Sequence, residues 1–459
     1  MRRVISYTPE SPGFDDKLMR WISSFEHCMI LDSCYNESLP PDPYSRIQKI
    51  FAAGAVKIIS SSCESSSFEQ LKSFMQTEKD WYFGHFSYDL KNSIEKLSSS
   101  NPDSITFPDL SFFLPEILII QNHQKYSFHL HPDSSYKEIE SLLNAIDAHD
   151  SSHHSSSSKS ALHRLIKPEI IGLQQAFQHR IPKDEYLATI LEIQKHIARG
   201  DIYEANFCVE FFADCFKVDP FALYKELTHL SPAPFSGFYR HGNSSLMTAS
   251  PERFLAKRGR KIISQPIKGT IRRHVDPKMD EKLKTQLKND PKERAENVMI
   301  VDLVRNDLSR TARRGSVIVE ELCEVYSFPL GHQMISTVSS ELKEQHHPLD
   351  AIYCSFPMGS MTGAPKIKAM QLLDYYESTK RGLYSGSIGY FDPNGDFDFN
   401  VVIRGFSYES EKHYLNWMTG GAITSLSDPE KEYQECLLKA SGMEKAFFSY
   451  LQKMIKSQE

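Results

Sequence analysis

The chain has 459 residues, of which 40% are hydrophobic, and a formal net charge of −6. Such a chain can bury a large core, which is typical of a globular protein with one large domain or a few ordinary ones. The slightly negative net charge argues against a basic surface that binds nucleic acid or an anionic membrane. An anionic ligand would therefore have to bind at a local cluster of positive groups.

The N-terminal residues, MRRVISYTPESPGFDDKL, begin with arginines but reach Pro, Glu and Asp before any apolar run of signal-peptide length. No later run approaches the length of a membrane span. We therefore expect a cytoplasmic protein. The eight cysteines are scattered and form no C-x-x-C pair, which suits reduced thiols, so we expect neither zinc nor disulfides.

Residues 1–144 alternate short strand-like runs, such as HCMILDS and EILIIQN, with helical stretches such as residues 67–76. The following stretch, AIDAHDSSHHSSSSKS, is too polar to bury a core and predicts a Ser/His-rich loop or linker, which we extend over residues 145–175. Its His153-His154 pair is typical of a solvated loop, and we assign it no function.

Residues 176–459 begin with a helix that ends at Gly200 and leads into a strand, IYEANFCVE. Many strands and helices follow without a regular βαβ period, which predicts an α+β fold with antiparallel sheet. SPERF places Glu252 at a turn before a strand, and ISQPIKGTIRR places Lys268 at the end of the next strand. These strands would present an acid and a nucleophile in one cleft, although a surface Glu-Lys pair is the ordinary alternative.

Two acidic helices follow. Asp290 and the proline after it predict a helix start, and the helix carries Glu296 into an apolar run that we expect to be buried on most faces. The second helix starts near Asp428 and places Glu432 and Glu435 three residues apart on one face. Oxygen ligands without histidine suit Mg²⁺, provided that the helices meet; otherwise these glutamates form an ordinary solvated face.

Three further segments are candidate binding sites for an anionic ligand. The segment MTGGAITSLSDP could bring bare backbone N–H groups against an anionic ligand. FPMGSMTGAPKIKAM superficially resembles a phosphate loop, but its glycine spacing is wrong and a proline precedes the lysine, so we reject that interpretation. FNVVIRGF predicts a strand ending at Arg404, whose planar fork suits a carboxylate, although a structural ion pair is the usual role.

These segments together resemble the chorismate-utilising enzymes: anthranilate synthase component I, aminodeoxychorismate synthase component I, and the isochorismate and salicylate synthases. The segments, in order, are SPERF, QPIKGTIRR, AENVMIVDLVRNDL, FPMGSMTGAPKIKAM, RGLYSGSIGY, FNVVIRGF and GGAITSLSDPEKEYQE. The resemblance covers residues 180–450 and is weaker N-terminal to them. It implies the anthranilate-synthase component I fold, an α+β fold of two packed, largely antiparallel β-sheets with helices outside and the active site between the sheets.

The resemblance also implies roles for particular residues. Glu296 and Glu435 match the family's Mg²⁺ ligands, with Glu432 nearby or acting through water, and Glu252 matches a proposed general acid. The positions that match substrate-binding residues are Thr270, Gly363, Ala364, Tyr390, Arg404, Gly420, Gly421 and Ala422. In GHQMIST, His332 is kept but Gln333 replaces a histidine usual in relatives, and we leave both out of the catalytic set.

Two positions separate the branches of the family. Isochorismate and salicylate synthases carry a water-activating lysine in the strand corresponding to IYEANFCVE, where we align Ala205, so attack by water loses support. Anthranilate synthases usually read PIAGT where this chain reads PIKGT, and a lysine there resembles aminodeoxychorismate synthase. The resemblance then implies that Lys268 attacks C2 of chorismate and that ammonia attacks C4 and expels the lysine. We expect burial, Mg²⁺ and nearby arginines to keep the amine neutral.

The expected activity is Mg²⁺-dependent amination of chorismate to 4-amino-4-deoxychorismate, for 4-aminobenzoate and folate synthesis. Ammonia is expected from a glutaminase partner, because no cysteine lies at a recognisable glutaminase nucleophile turn. Anthranilate synthase component I is the close alternative, since one lysine carries most of the distinction. A non-catalytic chorismate-binding regulatory subunit is a remote alternative, because the lysine, the acid and the metal glutamates are all present.

Overall fold

The computed structural model describes residues 1–9, 13–34, 42–45, 47–62, 66–155, 177–329 and 331–456. The strands are β1 (Arg3–Tyr7), β2 (His27–Asp32), β3 (Lys49–Ser61), β4 (Tyr82–Phe86), β5 (Leu110–Asn122), β6 (Lys125–Leu130), β7 (Gln178–His179), β8 (Glu204–Ala213), β9 (Phe235–His241), β10 (Ser244–Ser250), β11 (Arg253–Arg258), β12 (Lys261–Gln265), β13 (Ile267–Arg272), β14 (Ile318–Ser327), β15 (Gly331–Glu341), β16 (Gly363–Ala364), β17 (Ser387–Phe391), β18 (Phe397–Asn400), β19 (Gly405–Glu409) and β20 (Tyr414–Ile423). The helices are α1 (Phe14–Ser23), α2 (Ser67–Gln76), α3 (Lys91–Ile94), α4 (Ile139–Ser155), α5 (Lys183–Ala198), α6 (Pro220–Leu230), α7 (Pro277–Asn289), α8 (Pro291–Ser309), α9 (Pro348–Ser355), α10 (Lys366–Tyr376) and α11 (Pro429–Lys456).

The strands form two antiparallel sheets that share β5. The first sheet has the order β1-β6-β5-β3-β2-β9-β10-β19-β20-β8, and the short strands β7 and β16 pair with the outer edge of β8. The second has the order β5-β4-β17-β18-β11-β12-β15-β14, with β13 beside β12 on the same edge of β15. The first residues of β5 pair with β4 and its last residues with β6, so the strand belongs to both sheets.

Two large apolar clusters hold these layers together. Helices α1, α4, α5, α6 and α11 cover the first sheet, and buried side chains such as Ile190, Ile193 and Phe447 pack onto it. A second cluster lies between the sheets and joins Cys208 and Met418 of the first sheet to residues of β4, β11, β15, α8 and α9. The expected α+β fold of two packed antiparallel sheets with helices outside is therefore confirmed.

The expected N-terminal region is built into both sheets. Strand β2 pairs with β9, and β4 pairs with β17, so residues before the predicted linker share hydrogen-bonded ladders with residues far beyond it. The helix predicted at residues 67–76 is confirmed as α2. No helix in the described ranges combines the length and the apolar character needed to cross a membrane.

The predicted linker is partly wrong. Residues 139–155 form helix α4, so the loop prediction fails for residues 145–155, whereas residues 156–175 lie outside the described residues. Leu142 and Ile146 are fully buried against the first cluster, four residues apart on one face of the helix. These two anchors hold the start of the helix, and the polar residues continue it.

Helix α8 confirms one expectation and corrects another. The Asp290 side chain accepts hydrogen bonds from the backbone N–H groups of Lys292 (2.9 Å) and Glu293 (3.1 Å), as predicted for an N-cap. The helix does not bury most of its faces, however, because Val298 remains 40% exposed while Ile300 and Val304 are buried. The apolar run therefore supplies one buried stripe, and in the first turn of the helix Lys292 and Arg294 are exposed while Glu293 is half-buried.

The cysteines that the structure describes are free thiols, and four of them are buried. Cys63 lies outside the described residues. Lys366, in the segment that resembles a phosphate loop, donates to Asp307 Oδ2 (2.6 Å) and to the Ser355 carbonyl oxygen (3.1 Å). This lysine therefore ties α10 to α8 and α9 and is not presented to a phosphate.

A buried arginine anchors the segments around the start of β8. Arg381 forms a two-point ion pair with Glu377 (2.6 and 2.9 Å) and donates to the carbonyl oxygens of Met361 (2.7 Å) and Asn206 (2.8 Å). Glu377 in turn accepts from the backbone N–H of Cys208 (3.0 Å). Strand β8, the segment before β16 and the residues after α10 are thus joined by one guanidinium.

Replacing this guanidinium should destabilise the whole protein. We expect Arg381→Ala to lower the free energy of unfolding by about 3–5 kcal/mol, because it leaves the buried Glu377 carboxylate without its partner. Urea unfolding followed by circular dichroism measures the change. Arg305→Ala, which breaks an exposed pair with Asp302, is the control and should cost less than about 1 kcal/mol. Equal losses in the two variants would contradict the anchoring role.

Candidate active site

A buried ion pair connects the two sheets. Lys268 lies on β13 of the second sheet, and its Nζ donates to Oε1 of Glu204, the first residue of β8 in the first sheet, at 3.1 Å. The side chains are 12% and 1% exposed. The other carboxylate oxygen, Oε2 of Glu204, is buried and has no hydrogen-bond donor among the residues that the structure describes. Lys268 is therefore not a solvated surface cation.

The charge state of Lys268 differs from the sequence expectation. Burial alone would lower the pKa of the amine, but the carboxylates of Glu204, Glu296 and Glu252 outweigh burial and hold its pKa above the ordinary value. The expected neutral amine is therefore not what these protein groups favour by themselves. The amine becomes a nucleophile only when positive charge enters the cleft or when the carboxylates are neutralised.

Glu252 lies where the chain crosses between the sheets, directly before β11, as the SPERF motif predicted. It is 5% exposed, and burial raises the pKa of its carboxyl group to about 7. The Ser360 hydroxyl, Lys268, the Ile267 backbone N–H and Arg404 oppose this shift. A carboxyl group that is partly protonated near neutral pH can donate a proton to a leaving group, so the position suits a general acid.

Arg404 lies beside Glu252 in the second crossing of the chain, between β18 and β19. Its φ of 52° puts it in the left-handed region, so the predicted continuous strand is interrupted at this residue. Burial lowers the pKa of its guanidinium, and the Glu252 carboxylate raises it. Within the described residues this guanidinium has no ion pair or hydrogen bond, which leaves a partly buried cation available to an anionic ligand.

Helices α8 and α11 meet at the same cleft, as the metal hypothesis requires. Lys292 of α8 places its Nζ 3.8 Å from Oε1 of Glu296 on the same helix and 3.8 Å from Oε1 of Glu432 on α11. Burial raises the pKa of Glu296 to about 7, and Lys268 and Lys292 oppose this shift. The Glu296 Oε1 atom accepts no hydrogen bond from a described residue.

Glu435, the other expected metal ligand, has a different environment. Its half-exposed carboxylate pairs with Lys439 at 2.8 Å, and this lysine lowers its pKa ahead of the smaller effects of Lys292 and Lys268. In the described part of the chain, the carboxylates of Glu296, Glu432 and Glu435 do not all lie within 4.8 Å of one another. Glu296 and Glu432 therefore share Lys292 as a neighbouring cation, whereas Glu435 is paired with Lys439.

The donor chemistry nevertheless fits a hard divalent cation. All the candidate ligand atoms are carboxylate oxygens, two helices bring them to one cleft, and one of them, Glu296 Oε1, is buried without a donor. Lys292 lies between Glu296 and Glu432, where it offsets part of their negative charge. The residues therefore suit a small cation such as Mg²⁺ with few protein ligands.

Backbone segments line the cleft next to these side chains. Gly363 and Ala364 form β16 and pair with Ala205 and Glu204 at the start of β8. Gly363 has φ 152°, and a Cβ atom there would clash with the carbonyl oxygen of Glu204, so only glycine allows this approach. The expected substrate loop is thus held directly against the residue that binds Lys268.

The second glycine segment lies on β20. Gly420 and Gly421 pair with Cys208 and Phe207 of β8, and Ala422 pairs with Asn206. A Cβ atom at Gly421 would lie 3.4 Å from Oε2 of Glu432. Gly421 therefore leaves room beside Glu432, one of the three carboxylates (Glu296, Glu432 and Glu435) that we call the acidic cluster. A Cβ atom at Gly420 would instead clash with Sγ of Cys208 at 2.6 Å, so that glycine allows close packing against β8.

Some expected site residues lie elsewhere. The Tyr390 ring packs against Trp81, with 5.3 Å between ring centroids, and lines a separate cavity with Asp32 and Asn400. The structure does not bring Tyr390 to the Lys268 cleft. Thr270 is exposed on β13, two residues beyond Lys268 and opposite Gln333.

The histidine and glutamine of GHQMIST are both buried on β15. His332 is hydrogen-bonded to Ser327 (2.9 Å) of β14 and to Asp280 (3.1 Å) of helix α7, which gives it a structural role between this strand and this helix. The Gln333 side-chain oxygen has no hydrogen-bond partner among the described residues. Neither residue contacts Lys268 or Glu252 through a hydrogen bond.

Comparison with known proteins supplies the family. The family model described as "chorismate binding enzyme" matches residues 26–445. This chain belongs to the chorismate binding enzyme family. The match spans all strands from β2 to β20 and every carboxylate and lysine of the cleft.

Relatives of this chorismate binding enzyme include proteins of two names. Aminodeoxychorismate synthase, chloroplastic, of Arabidopsis thaliana is 35% identical over 83% of this chain and 43% of its own length. Anthranilate synthase component 1 of Thermus thermophilus is 35% identical over 79% of this chain and 76% of its own length. The chain thus spans less than half the length of the plant relative, and overall identity does not separate the two names.

A solved structure supports the fold. The crystal structure of anthranilate synthase component I from Streptococcus pneumoniae TIGR4 superposes with a TM-score of 0.72 at 25% identity, covering 89% of this chain and 94% of that chain. The two-sheet arrangement expected from the sequence is therefore shared with a solved protein of that name.

Sequence reasoning missed two residues of this family member's cleft. The sequence alignment puts Ala205 at the branch-determining position of β8, but Ala205 is fully buried in the first apolar cluster with Phe207, Val209 and Phe211. Glu204 is the residue that faces Lys268. Period-two alternation along IYEANFCVE contains this signal, because the apolar residues share one face of the strand and Glu204 belongs to the other. Lys292 could have been found from its position four residues before Glu296.

The raised pKa of Glu252 predicts a stability difference that depends on pH. Between about pH 4.5 and 7 the folded state binds more protons than the unfolded state at this residue, so its contribution to stability falls as the pH rises. We expect Glu252→Gln to gain stability relative to the parent between pH 5 and 8 by up to about 3 kcal/mol, because each pKa unit corresponds to about 1.4 kcal/mol.

Urea unfolding of both proteins at several pH values in this range measures the gain. Glu435→Gln is the control, because the pKa of Glu435 is lowered, and it should show no such relative gain on the alkaline side. If the difference between Glu252→Gln and the parent is constant across this range, the carboxyl group does not titrate near neutral pH in the folded protein.

Proposed function

We propose that this protein aminates chorismate at C4, giving 4-amino-4-deoxychorismate, as an aminodeoxychorismate synthase component. The observation that carries the proposal is Lys268, a buried amine between the sheets that is held by Glu204 and lies within the electrostatic reach of Glu252. A lysine at this position of the PIKGT motif favours covalent catalysis, in which one difficult displacement is divided into two.

Chorismate carries carboxylates, and the cleft has groups to receive them. The guanidinium of Arg404 is partly buried and unpaired among the described residues, and the glycine segments of β16 and β20 expose backbone along the cleft walls. Glu296 and Glu435 would hold Mg²⁺, with Glu432 nearby or acting through water. The ion would supply positive charge that binds a substrate carboxylate and offsets the acidic cluster.

The proposed reaction uses the protein groups in two steps. The neutral Lys268 amine forms a bond to C2 of chorismate while the C4 hydroxyl group leaves, and Glu252 donates the proton that makes it water. Ammonia then forms a bond to C4, and Lys268 leaves C2 as a free amine. The product carries the new ammonium group, and Glu252 regains its proton from solvent.

Anthranilate synthesis is the second candidate. It is supported by the Thermus thermophilus relative, whose identity to this chain equals that of the Arabidopsis thaliana relative. Lys268 favours C4 amination, because direct amination at C2 needs no covalent lysine. A non-catalytic chorismate-binding subunit has less support, since the buried lysine, the general acid and the cation cluster are retained together.

A partner is part of the proposal. The name "component 1" of the Thermus thermophilus relative implies a second component in that protein. We infer that a glutamine amidotransferase subunit supplies ammonia to this chain and that the product enters 4-aminobenzoate and folate synthesis. A cytoplasmic location remains a prediction from the sequence.

The identity of the product tests the proposal. Purified protein incubated with chorismate, Mg²⁺ and ammonium at alkaline pH, where more free ammonia is present, should form 4-amino-4-deoxychorismate. A separate lyase should convert that product to 4-aminobenzoate. The same protein should release no glutamate from glutamine, and an excess of chelator should abolish product formation. Chromatography and mass spectrometry identify the products.

Each arm of this experiment can contradict one part of the proposal. Direct formation of anthranilate would show that the protein aminates chorismate at C2 and not at C4. Full activity in the presence of the chelator would show that catalysis needs no metal ion bound by the acidic cluster. Release of glutamate from glutamine by the single chain would show that this chain is itself a glutaminase and needs no partner for ammonia.

Substitution of Lys268 tests the covalent step. We expect Lys268→Ala to bind chorismate and Mg²⁺ about as well as the parent but to form the amino product at least about a hundredfold more slowly, since loss of a nucleophile falls on turnover. Lys268→Arg should be nearly as slow, because a guanidinium keeps the charge but is not deprotonated in proteins. Calorimetry measures binding, and product formation under saturating substrate measures turnover.

Lys257→Arg is the matched control, because Lys257 is also buried and ion-paired, with Asp396 at 3.0 Å, but lies away from the cleft on β11. It should keep parental turnover. Near-parental turnover in Lys268→Arg would show that Lys268 only positions the substrate. With ammonia withheld, intact-mass analysis of the parent should detect an adduct that maps to the peptide containing Lys268.

A further inference from the structure

Strand β8 carries two buried glutamates that differ in how their oxygens are used. Glu210 is 3% exposed, and both of its oxygens have donors: Arg180 (2.9 Å) on Oε2, and Tyr414 (2.9 Å) and Asn416 (2.7 Å) on Oε1. Glu204 is 1% exposed and, among the residues that the structure describes, has one donor only, Lys268 on Oε1. Glu210 has the environment of a structural carboxylate, whereas Glu204 does not.

The Oε2 atom of Glu204, which lacks a donor among the described residues, indicates that a ligand binds beside it. A buried carboxylate oxygen without a donor is costly, and each such atom in a folded protein calls for a partner. The backbone of Glu204 is fixed by pairing with Ala364 of β16, and its buried side chain is held by the hydrogen bond from Lys268. The strand therefore holds the carboxylate at the cleft.

The chemistry of this position selects the ligand. A carboxylate accepts hydrogen bonds and repels anions, so the carboxylates of chorismate are directed towards Arg404 rather than towards Glu204. A small molecule with several N–H donors, neutral or positively charged, satisfies the free oxygen. In the proposed reaction a second nitrogen has to reach the ring after Lys268, and the two oxygens of one carboxylate hold two nitrogens side by side.

We propose that Glu204 forms the ammonia site of this enzyme: Oε1 orients the Lys268 amine, and Oε2 accepts a hydrogen bond from the incoming ammonia or ammonium. This inference rests on the proposed amination of chorismate and assigns its nitrogen-binding residue. Ammonia keeps its lone pair for the ring carbon while one N–H group is bound by the carboxylate. No proton has to be transferred to Glu204 for the carbon–nitrogen bond to form.

Ammonium kinetics of the full chain, with saturating chorismate and Mg²⁺, test this site. We expect Glu204→Gln to raise the KM for ammonium by about tenfold or more, because the substitution removes the charge that strengthens the hydrogen bond to the bound nitrogen. Chorismate affinity, measured by calorimetry, should change less than about twofold. Glu204→Asp keeps the charge and should raise the KM for ammonium less than Glu204→Gln does.

Glu210→Gln is the matched control, since it neutralises a buried glutamate on the same strand outside the cleft. Its KM for ammonium should equal that of the parent. An unchanged KM for ammonium in Glu204→Gln, an equal rise in Glu210→Gln, or a fall in kcat without a rise in KM would each overturn the ammonia site. The last result would leave Glu204 as a residue that acts only through Lys268.

A binding measurement separates this inference from the proposed function. Thermal unfolding in ammonium chloride and in tetramethylammonium chloride of equal concentration should differ for the parent, because only ammonium has N–H donors and a ligand of the folded state raises the melting temperature. The difference should vanish in Glu204→Gln and persist in Glu210→Gln. A parent without the difference overturns the ammonia site, even if it makes 4-amino-4-deoxychorismate. A parent that shows it but makes anthranilate overturns only the C4 assignment.

Discussion

The concentration of buried carboxylates around two lysines is the constraint on which the cleft depends. Glu204, Glu252, Glu296 and Glu432 come from different elements and converge where little water can solvate them. Burial raises the pKa of Glu252 and Glu296 to about 7, while the same carboxylates raise the pKa of Lys268. Each charge is therefore set by its neighbours, and a cation or an anionic substrate entering the cleft changes all of them together.

This electrostatic arrangement is held by contacts between the sheets and not by a single loop. The ion pair of Lys268 and Glu204 links β13 to β8, and the guanidinium of Arg381 ties β8 to the segments that flank β16. Gly363 lets β16 approach the carbonyl oxygen of Glu204. Because rigid strands carry the reacting groups, their positions depend on the packing of the entire core, as precise placement of catalytic groups requires.

Local signals predicted the elements that depend on local chemistry, while tertiary packing decided the rest. The N-cap at Asp290, helix α2 and the turn before Glu252 follow from neighbouring residues, and the ordered motifs supplied the fold class. The helical course of residues 145–155 depends on packing that composition does not reveal. The left-handed conformation of Arg404 results from the crossing of the chain between the two sheets, and Tyr390 packs against Trp81 within the second sheet; no sequence window contains either contact.

The raised pKa of Lys268 gives the acidic cluster a second consequence for the chemistry. A charged amine binds well in the cleft but cannot attack carbon, so the substrate-free arrangement favours the unreactive form. Glu204 remains beside the amine throughout, whereas the charges of Glu252 and Glu296 change with protonation or with a bound cation. Neutralising these two carboxylates weakens the attraction that keeps the proton on Lys268. In the proposed reaction, binding of a cation and protonation of Glu252 would therefore prepare Lys268 for attack, which would tie activation of the amine to assembly of the complete site.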